Sequence, residues 1–251
     1  MSNFFDLNVH AYPENDVPVE ELLRVARRYG YAGIAITNHD DSVKEKEKEN
    51  VWQRNALPLS LSAPDSVFRG IEIRAKSVSE LKRKIKLHGE KVSLIAVHGG
   101  DERINRAALR DSRVDILAHP CGEKGEGELN HVLVRYAAEN GVAIDFNLNA
   151  IIQSKRSDRA RILWKMRENL KLVRKYKALM LLTSNARSVY DLRAPREMIA
   201  LASLIGMGKE EAVHALSDIP TGILEKKWKK EKKVEIINKT KGGCKIGSIG
   251  I

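Results

Sequence analysis

The chain has 251 residues, 43% of them apolar, with 44 Lys and Arg against 33 Asp and Glu. That is enough apolar material for a substantial core, and the two widely separated cysteines, Cys121 and Cys244, argue against a disulfide framework and exclude a cysteine-rich zinc module. No apolar run approaches the ~18 residues that span a membrane, and nothing near Met1 resembles a signal peptide, so a cytoplasmic protein is expected.

In chain order, seven short apolar runs read as strands: residues 4–10, 32–38, 67–74, 92–98, 115–119, 142–148 and 179–184. Helical patterns fill most of the intervals. Residues 18–29 carry Leu22, Leu23, Val25 and Ala26 at helical spacing and stop at Gly30; residues 77–88 stop at Gly89 and residues 128–140 at Gly141. A glycine stop followed by a strand is what helix-to-strand connections prefer. Strands alternating with helices imply parallel pairing through crossovers. Runs apolar on both faces, such as "DILAH" and "LMLLTS", fit a parallel sheet covered by helices. An open doubly wound sheet and a barrel both satisfy this pattern, but no glycine-rich phosphate loop follows the first strand. Residues 41–66, with "KEKEKEN" and "LPLSLSAP", read as an insertion, and the Lys-rich residues from 226 onward as a mobile tail.

The positive charge is concentrated. Residues 155–178 hold 10 Lys and Arg against 2 acids, and residues 226–251 hold 9 Lys against 2 acids, which leaves the remainder acidic. An acidic body carrying two basic segments, one of them helical, points to RNA or DNA as a partner.

Four of the seven histidines, His10, His39, His98 and His119, fall at predicted strand ends, as do Glu72, Asn185 and Arg187. In a parallel αβ barrel these ends share one face, where sites form. Four histidines at corresponding positions indicate a real or ancestral site rather than separate loop caps. Imidazoles and carboxylates suit Zn, Mn or Fe. A metal bound from the first strand would gain from a second histidine two residues before His10, on the same face, but that position is Asn8, a weak neutral ligand. Asn38 stands where an Asp would bring charge, and Arg187 is a fixed cation.

The motifs "DLNVH", "ITNHD", "GIEI", "LAHP" and "TSNAR" resemble, in order, the strand-end motifs of the polymerase-and-histidinol-phosphatase (PHP) superfamily. That resemblance implies a seven-stranded αβ barrel with a di- or trinuclear metal site; His10, Glu72 and His119 match its pattern, whereas Asn8, Asn185 and Arg187 depart from it. A closer resemblance, carried by "TSNARSVYDLRAPREMIALASLIGM" at residues 183–207, is to the thirty-kilodalton subunit family of archaeal ribonuclease P, known as protein component 3. It spans roughly residues 3–225. It implies an α/β, TIM-like (β/α)7 barrel of parallel strands over residues 1–225, a single domain, with residues 226–251 as a basic tail. It further implies a subunit of the ribonucleoprotein that removes 5′ leaders from precursor tRNA. In that family the RNA performs the hydrolysis with Mg²⁺, so no catalytic residue and no bound cofactor or metal is expected in this chain. The implied partners are ribonuclease P RNA, precursor tRNA, a small ferredoxin-like subunit in a two-plus-two assembly and other ribonuclease P proteins, with no membrane. On this reading Asn8, His10, His39, Glu72, His98, His119 and Asn185 are the remnant of a metal face. The alternative is a metal-dependent phosphoesterase in which His10, His39, Glu72, His98 and His119 hold the metal.

The helix at residues 157–177 has an apolar stripe of Ile162, Leu163, Met166, Leu170 and Val173, with Arg159, Lys165, Arg167, Lys171, Arg174 and Lys175 on the other faces. Lys165, Lys171 and Lys175 are candidate phosphate contacts. So are Arg74, Arg103, Arg106, Lys124, Arg187, Arg193 and Arg196, which follow predicted strands and would gather near the barrel mouth. Aromatic residues make up only 5%, so backbone and shape recognition is expected over base stacking.

Overall fold

The computed structural model describes residues 3–42, 66–89, 91–120 and 129–226. Seven strands, β1 (Phe4–Val9), β2 (Tyr31–Ile36), β3 (Ser66–Ile73), β4 (Leu94–His98), β5 (Ile116–Ala118), β6 (Ala143–Asn147) and β7 (Met180–Thr183), form one parallel sheet in sequential order. The ends of the sheet meet. Val9 bridges Ala186 in parallel, the His10 N–H donates to the Ala186 carbonyl at 2.8 Å, and the Asp6 carboxylate accepts the Ser184 N–H at 3.2 Å. A nearly closed barrel results, not the open doubly wound sheet.

Among the described residues the helices are α1 (Val19–Tyr29), α2 (Val78–His88), α3 (Glu102–Leu109), α4 (His131–Asn140), α5 (Asn149–Gln153) and α6 (Arg156–Tyr176), set between the strands, and α7 (Pro195–Ser203) and α8 (Lys209–Leu216), which follow β7, with residues 218–226 helical as well. Their ends follow local chemistry. Ser77 accepts the Glu80 N–H and Asn130 accepts those of Val132 and Leu133, capping α2 and α4. Gly30 ends α1 in the left-handed region at φ 94°, where a side chain would be strained. Gly89 departs from the expected pattern: it is right-handed at φ −57° and simply prolongs the last turn of α2.

Alternation along each strand separates two cores. Phe5, Leu7, Phe68, Leu94, Ala96, Ile116, Ala143 and Leu181 pack inside the barrel against Ile223 and Leu224, so helical residues 218–226 plug the end where the strands begin. Ile73, Ile95, Val97, Leu117, Ile144 and Leu182 face outward under the helices. The interior is therefore apolar at one end. At the other, where the strands finish, it turns polar: Asp6, Asn8, Thr37, Glu72, Asp145 and Thr183 are all buried. Residues 43–65, Lys124 and the tail beyond 226 lie outside the described residues.

Candidate functional site

The seven residues expected to share a face do so. His10, His39, His98 and His119 form a chain of neighbouring rings, with centroids 4.8, 5.4 and 4.8 Å apart. Glu72, at the end of β3 and fully buried, is the hub. Its Oε1 lies 2.5 Å from His98 Nδ1, 3.4 Å from His39 Nε2 and 3.7 Å from His119 Nε2. Its Oε2 accepts from Asn8 Nδ2 at 3.3 Å and lies 3.8 Å from His10 Nε2. Asn185 closes the ring, its Oδ1 standing 2.8 Å from His10 Nε2. His119 and Asn185 both adopt left-handed backbone, at φ 48° and 47°. That region is uncommon for residues with side chains, but Asn and His are among those that enter it most often.

Small residues make room for this arrangement. A Cβ on Gly70, inside β3, would lie 2.6 Å from Thr37 Cγ2. The bare glycine lets Thr37 seat beside β3, where its hydroxyl donates to Asn8 Oδ1 at 2.7 Å and so aims the Asn8 amide nitrogen at Glu72. Sequence to packing to site is one chain of contacts here.

Glu14, in the loop after β1, belongs to the site although the motif reading did not include it. Its Oε1 accepts from His39 Nδ1 at 2.7 Å; its Oε2 accepts the His39 backbone N–H at 2.7 Å and lies 3.0 Å from His10 Nδ1. The available signal was its position four residues after His10, too common a spacing to stand out. Two further buried acids were also missed. Burial pushes the Asp6 carboxyl up to about 6, against hydrogen bonds from Ser184 and Asn8. Burial also holds the Asp145 carboxyl well above its usual range, against a hydrogen bond from the Thr183 hydroxyl to its Oδ1 at 2.8 Å.

The "NHDD" segment divides its labour. His39 alone faces the ring. Asn38 is a loop pin: it accepts the Ala11 N–H and donates to the Ala11 and Tyr12 carbonyls. Asp40 pairs with Lys84 at 2.8 Å and accepts the Arg74 N–H. Asn38 therefore replaces no ligand, which corrects that part of the sequence reading.

Electrostatics bind the ring together. Burial alone would raise Glu14 and Glu72, but hydrogen bonds from His10 and His39 to the first, and from His39 and His98 to the second, outweigh it and hold both well below the ordinary range. For His39, burial opposes the charge, yet Glu14 and Glu72 on its two nitrogens lift it to about 9. The donor types suit one transition-metal ion. His10, Glu14 and His39 each offer a ligand atom with all three within 4.8 Å of one another, and so do His39, Glu72 and His98. They do not supply a full multinuclear set: Asn8 and Asn185 are neutral, and Asn8 points its N–H₂ group, a donor, at Glu72.

The candidate RNA-binding residues differ in how they are held. Arg74 is half-buried, 4.0 Å from Asp41. Arg103 is held by Asp101 and Arg106 by Glu102, each within its own helix turn. Arg193 donates to the Tyr190 and Leu192 carbonyls and lines an outer groove with Tyr29 and Leu204. Arg187 and Arg196 are exposed. On α6, Lys171 pairs with Glu168, Lys175 is exposed beside the Tyr176 ring, and Lys165 lines a small cavity with His119, Asp145 and Asn147. Three other cations of this helix are already committed. Arg159 donates to the Ser154 and Ile152 carbonyls, Arg167 to the Leu204 carbonyl, and Arg174 to Glu211 and the Gly206 carbonyl. These three arginines are thus held by the fold itself, and the candidate phosphate contacts of α6 are its three lysines.

Fold and site define a parallel αβ barrel that carries its polar site at the carboxyl ends of the strands. The chain belongs to the RNase P subunit p30 family, whose pattern matches residues 3–232. It is 44% identical over 225 residues to ribonuclease P protein component 3 of Methanococcoides burtonii, covering 90% of this chain and 88% of that one. Against the same component of Methanothermobacter thermautotrophicus it is 35% identical, covering 90% of each. A chain in a cryo-EM structure of archaeal ribonuclease P with mature tRNA superposes at a TM-score of 0.70 with 24% identity, over 88% of this chain and 90% of that one. The zinc-containing histidinol phosphate phosphatase of Lactococcus lactis shares the fold, at a TM-score of 0.56 and 13% identity over 86% of this chain and 98% of that one. No helix among the described residues is long and apolar enough to cross a membrane.

Proposed function

We propose that this chain is a non-catalytic protein subunit of ribonuclease P, supporting RNA-catalysed removal of 5′ leaders from precursor tRNA. Family membership across the whole barrel carries the reading. The ring supports it: two of its positions are neutral amides, leaving too few anionic ligands for a multinuclear hydrolytic centre. Hydrolysis is then the work of the RNA and its Mg²⁺. The barrel contributes a rigid body whose exposed lysines on α6 meet phosphates and position RNA without reading bases. A small ferredoxin-like subunit, paired in a two-plus-two assembly, is the expected protein partner. The phosphoesterase alternative is not favoured by the relatives.

The test is reconstitution of cleavage from the RNA and the complete set of proteins with Mg²⁺. Omitting this chain lowers precursor-tRNA cleavage, while the chain alone cleaves neither RNA nor a generic phosphoester with Mn²⁺ or Zn²⁺. Turnover by the isolated chain that His119→Ala abolishes would overturn the reading.

A further inference from the structure

We infer that Trp164, on the outer face of α6, is a stacking platform for an unpaired base of RNA, with Lys171 and Lys175 holding phosphates of the same strand. The inference rests on the ribonuclease P reading above and adds a base contact, independent of base identity, to its phosphate contacts. It departs from the expectation, drawn from the low aromatic content, of backbone and shape recognition over base stacking.

The helix fixes the arrangement. α6 buries Ile162, Leu170 and Val173 against the barrel. At 3.6 residues per turn Trp164 falls on the opposite side, and Lys171 and Lys175 return to within about 20° of its direction. With a rise of 1.5 Å per residue they stand about 10 and 16 Å further along the axis, roughly three and five nucleotide rises of a stacked strand. One straight ridge thus presents an aromatic ring and then two ammonium groups. Both lysines and Trp164 are exposed.

The fold leaves the indole available. Tryptophan is highly buried on average, yet Trp164 is 54% exposed, and its N–H has no hydrogen-bond partner among the described residues. A helical side chain leans over the turn before its own, which here holds Ala160 and Arg161. The Ala160 methyl is too small to cover an indole, and Arg161 is drawn to Asp158 at 3.4 Å. Lys165 Nζ stands over the ring, 5.4 Å from its centroid. The other face is left to a base, and stacking on an aromatic ring tolerates any sequence. The nearby acids, Asp158 and Glu168, sit in exposed ion pairs, which contribute little and yield readily to a phosphate. A protein-docking patch would gather apolar neighbours around the ring. Trp164 has Arg161, Lys165, Arg167 and Lys171 around it instead, and that charge favours an anionic strand.

The experiment measures binding of the full chain to ribonuclease P RNA, to a short single-stranded oligoadenylate and to an RNA duplex of the same length, across a salt series. Trp164→Ala weakens binding of the single strand roughly 5- to 150-fold and leaves the duplex, whose bases are already stacked, unchanged. Trp164→Phe recovers part of the loss. The salt slope of Trp164→Ala stays that of the wild type, because a stack releases no counterion, whereas Lys171→Ala lowers it. Quenching of tryptophan fluorescence by the oligoadenylate, present in the wild type and lost in Trp164→Phe, isolates this ring from Trp52 and Trp228. Equal affinity of wild type and Trp164→Ala for the single strand, beside a weakened Lys171→Ala, would overturn the stack and leave the phosphate surface standing. A wild-type chain that binds none of the three RNAs would overturn both. A Trp164→Ala chain that binds RNA normally but no longer joins the other ribonuclease P proteins would give this face to a protein partner and overturn the inference.

Discussion

The ring at the barrel mouth and helix α6 were both marked by their side chains, and the structure treats them in opposite ways. The ring residues come from the ends of six strands, β1, β2, β3, β4, β5 and β7, and four histidines converge on one buried carboxylate. The cations of α6 disperse: three arginines bond to neighbouring backbone and acids, and three lysines face a cavity, a glutamate or solvent. The difference lies in what fixes a side chain. A strand-end residue is placed by alternation and sheet register, which the sequence displays. A long cation on a helix surface finds the nearest carbonyl or carboxylate, often from an element some 40 residues away in sequence, which a local pattern does not display.

The largest expected effect concerns the hub. Glu72→Ala would leave four imidazoles around an empty buried space, and removing one partner of a buried ionic cluster costs about 3–5 kcal/mol. Urea denaturation measures it. A loss under about 1 kcal/mol would mean that packing, not Glu72, holds the ring.

The ring's neighbourhood also sets a pH dependence. Asp6 has a pKa of about 6 in the folded chain against an ordinary value of 3.8. The folded state binds more protons than the unfolded one between these values, so this residue's contribution to stability is full below about 4 and declines as pH rises to about 6. The span corresponds to roughly 2–3 kcal/mol. Asp6→Asn removes it while keeping an acceptor for the Ser184 N–H. Subtracting the stability–pH curves of wild type and variant isolates the effect from the other acids. A flat difference curve would show that Asp6 is not held against its charge.

Legibility followed the same division. The seven strands were visible as apolar runs, and all seven ring positions as polar residues where those runs stop. Glu14 was not, because a loop residue enters the site through chain geometry that no periodicity encodes. Asn38 looked like a ligand position and is a backbone pin. α3, eight residues started by the Asp101 cap, is too short to show a clear period. The motif "DLRAPRE" fixed the family more firmly than any histidine, since it reads a particular turn into α7 rather than a generic strand end.

Arg174 and Lys171 sharpen the contrast on one helix. Arg174 makes two bonds to Glu211 and one to the Gly206 carbonyl, tying α6 to α8. Arg174→Ala should cost about 1 kcal/mol, because both partners remain partly exposed. Lys171→Ala, whose partner Glu168 lies one turn away, should stay within about 0.5 kcal/mol. Equal losses in thermal denaturation would erase the division between structural arginines and available lysines.

The smallest effect on stability, and the most telling for RNA, comes from the lysines together. Changing Lys165, Lys171 and Lys175 to Ala leaves the apolar stripe of α6 intact, since Ile162, Leu170 and Val173 are buried on another face. Stability should hold to within a few tenths of a kcal/mol per site. If these ammonium groups meet phosphates, each lost contact reduces the slope of log affinity against log salt by about 0.7–0.9. The triple variant should therefore bind ribonuclease P RNA more weakly at low salt, by a margin that shrinks as salt rises. Removing residues 226–251 should also flatten the slope, while leaving reconstituted cleavage nearer to wild type, because chain freedom lost by a tail on binding costs ~1–2 kcal/mol per residue fixed. Preordered lysines on a packed helix carry no such cost. Filter binding across a salt series and cleavage by the reconstituted enzyme separate the two segments. A triple variant with wild-type affinity and slope, beside a tail deletion that abolishes cleavage, would move the RNA surface off α6 altogether.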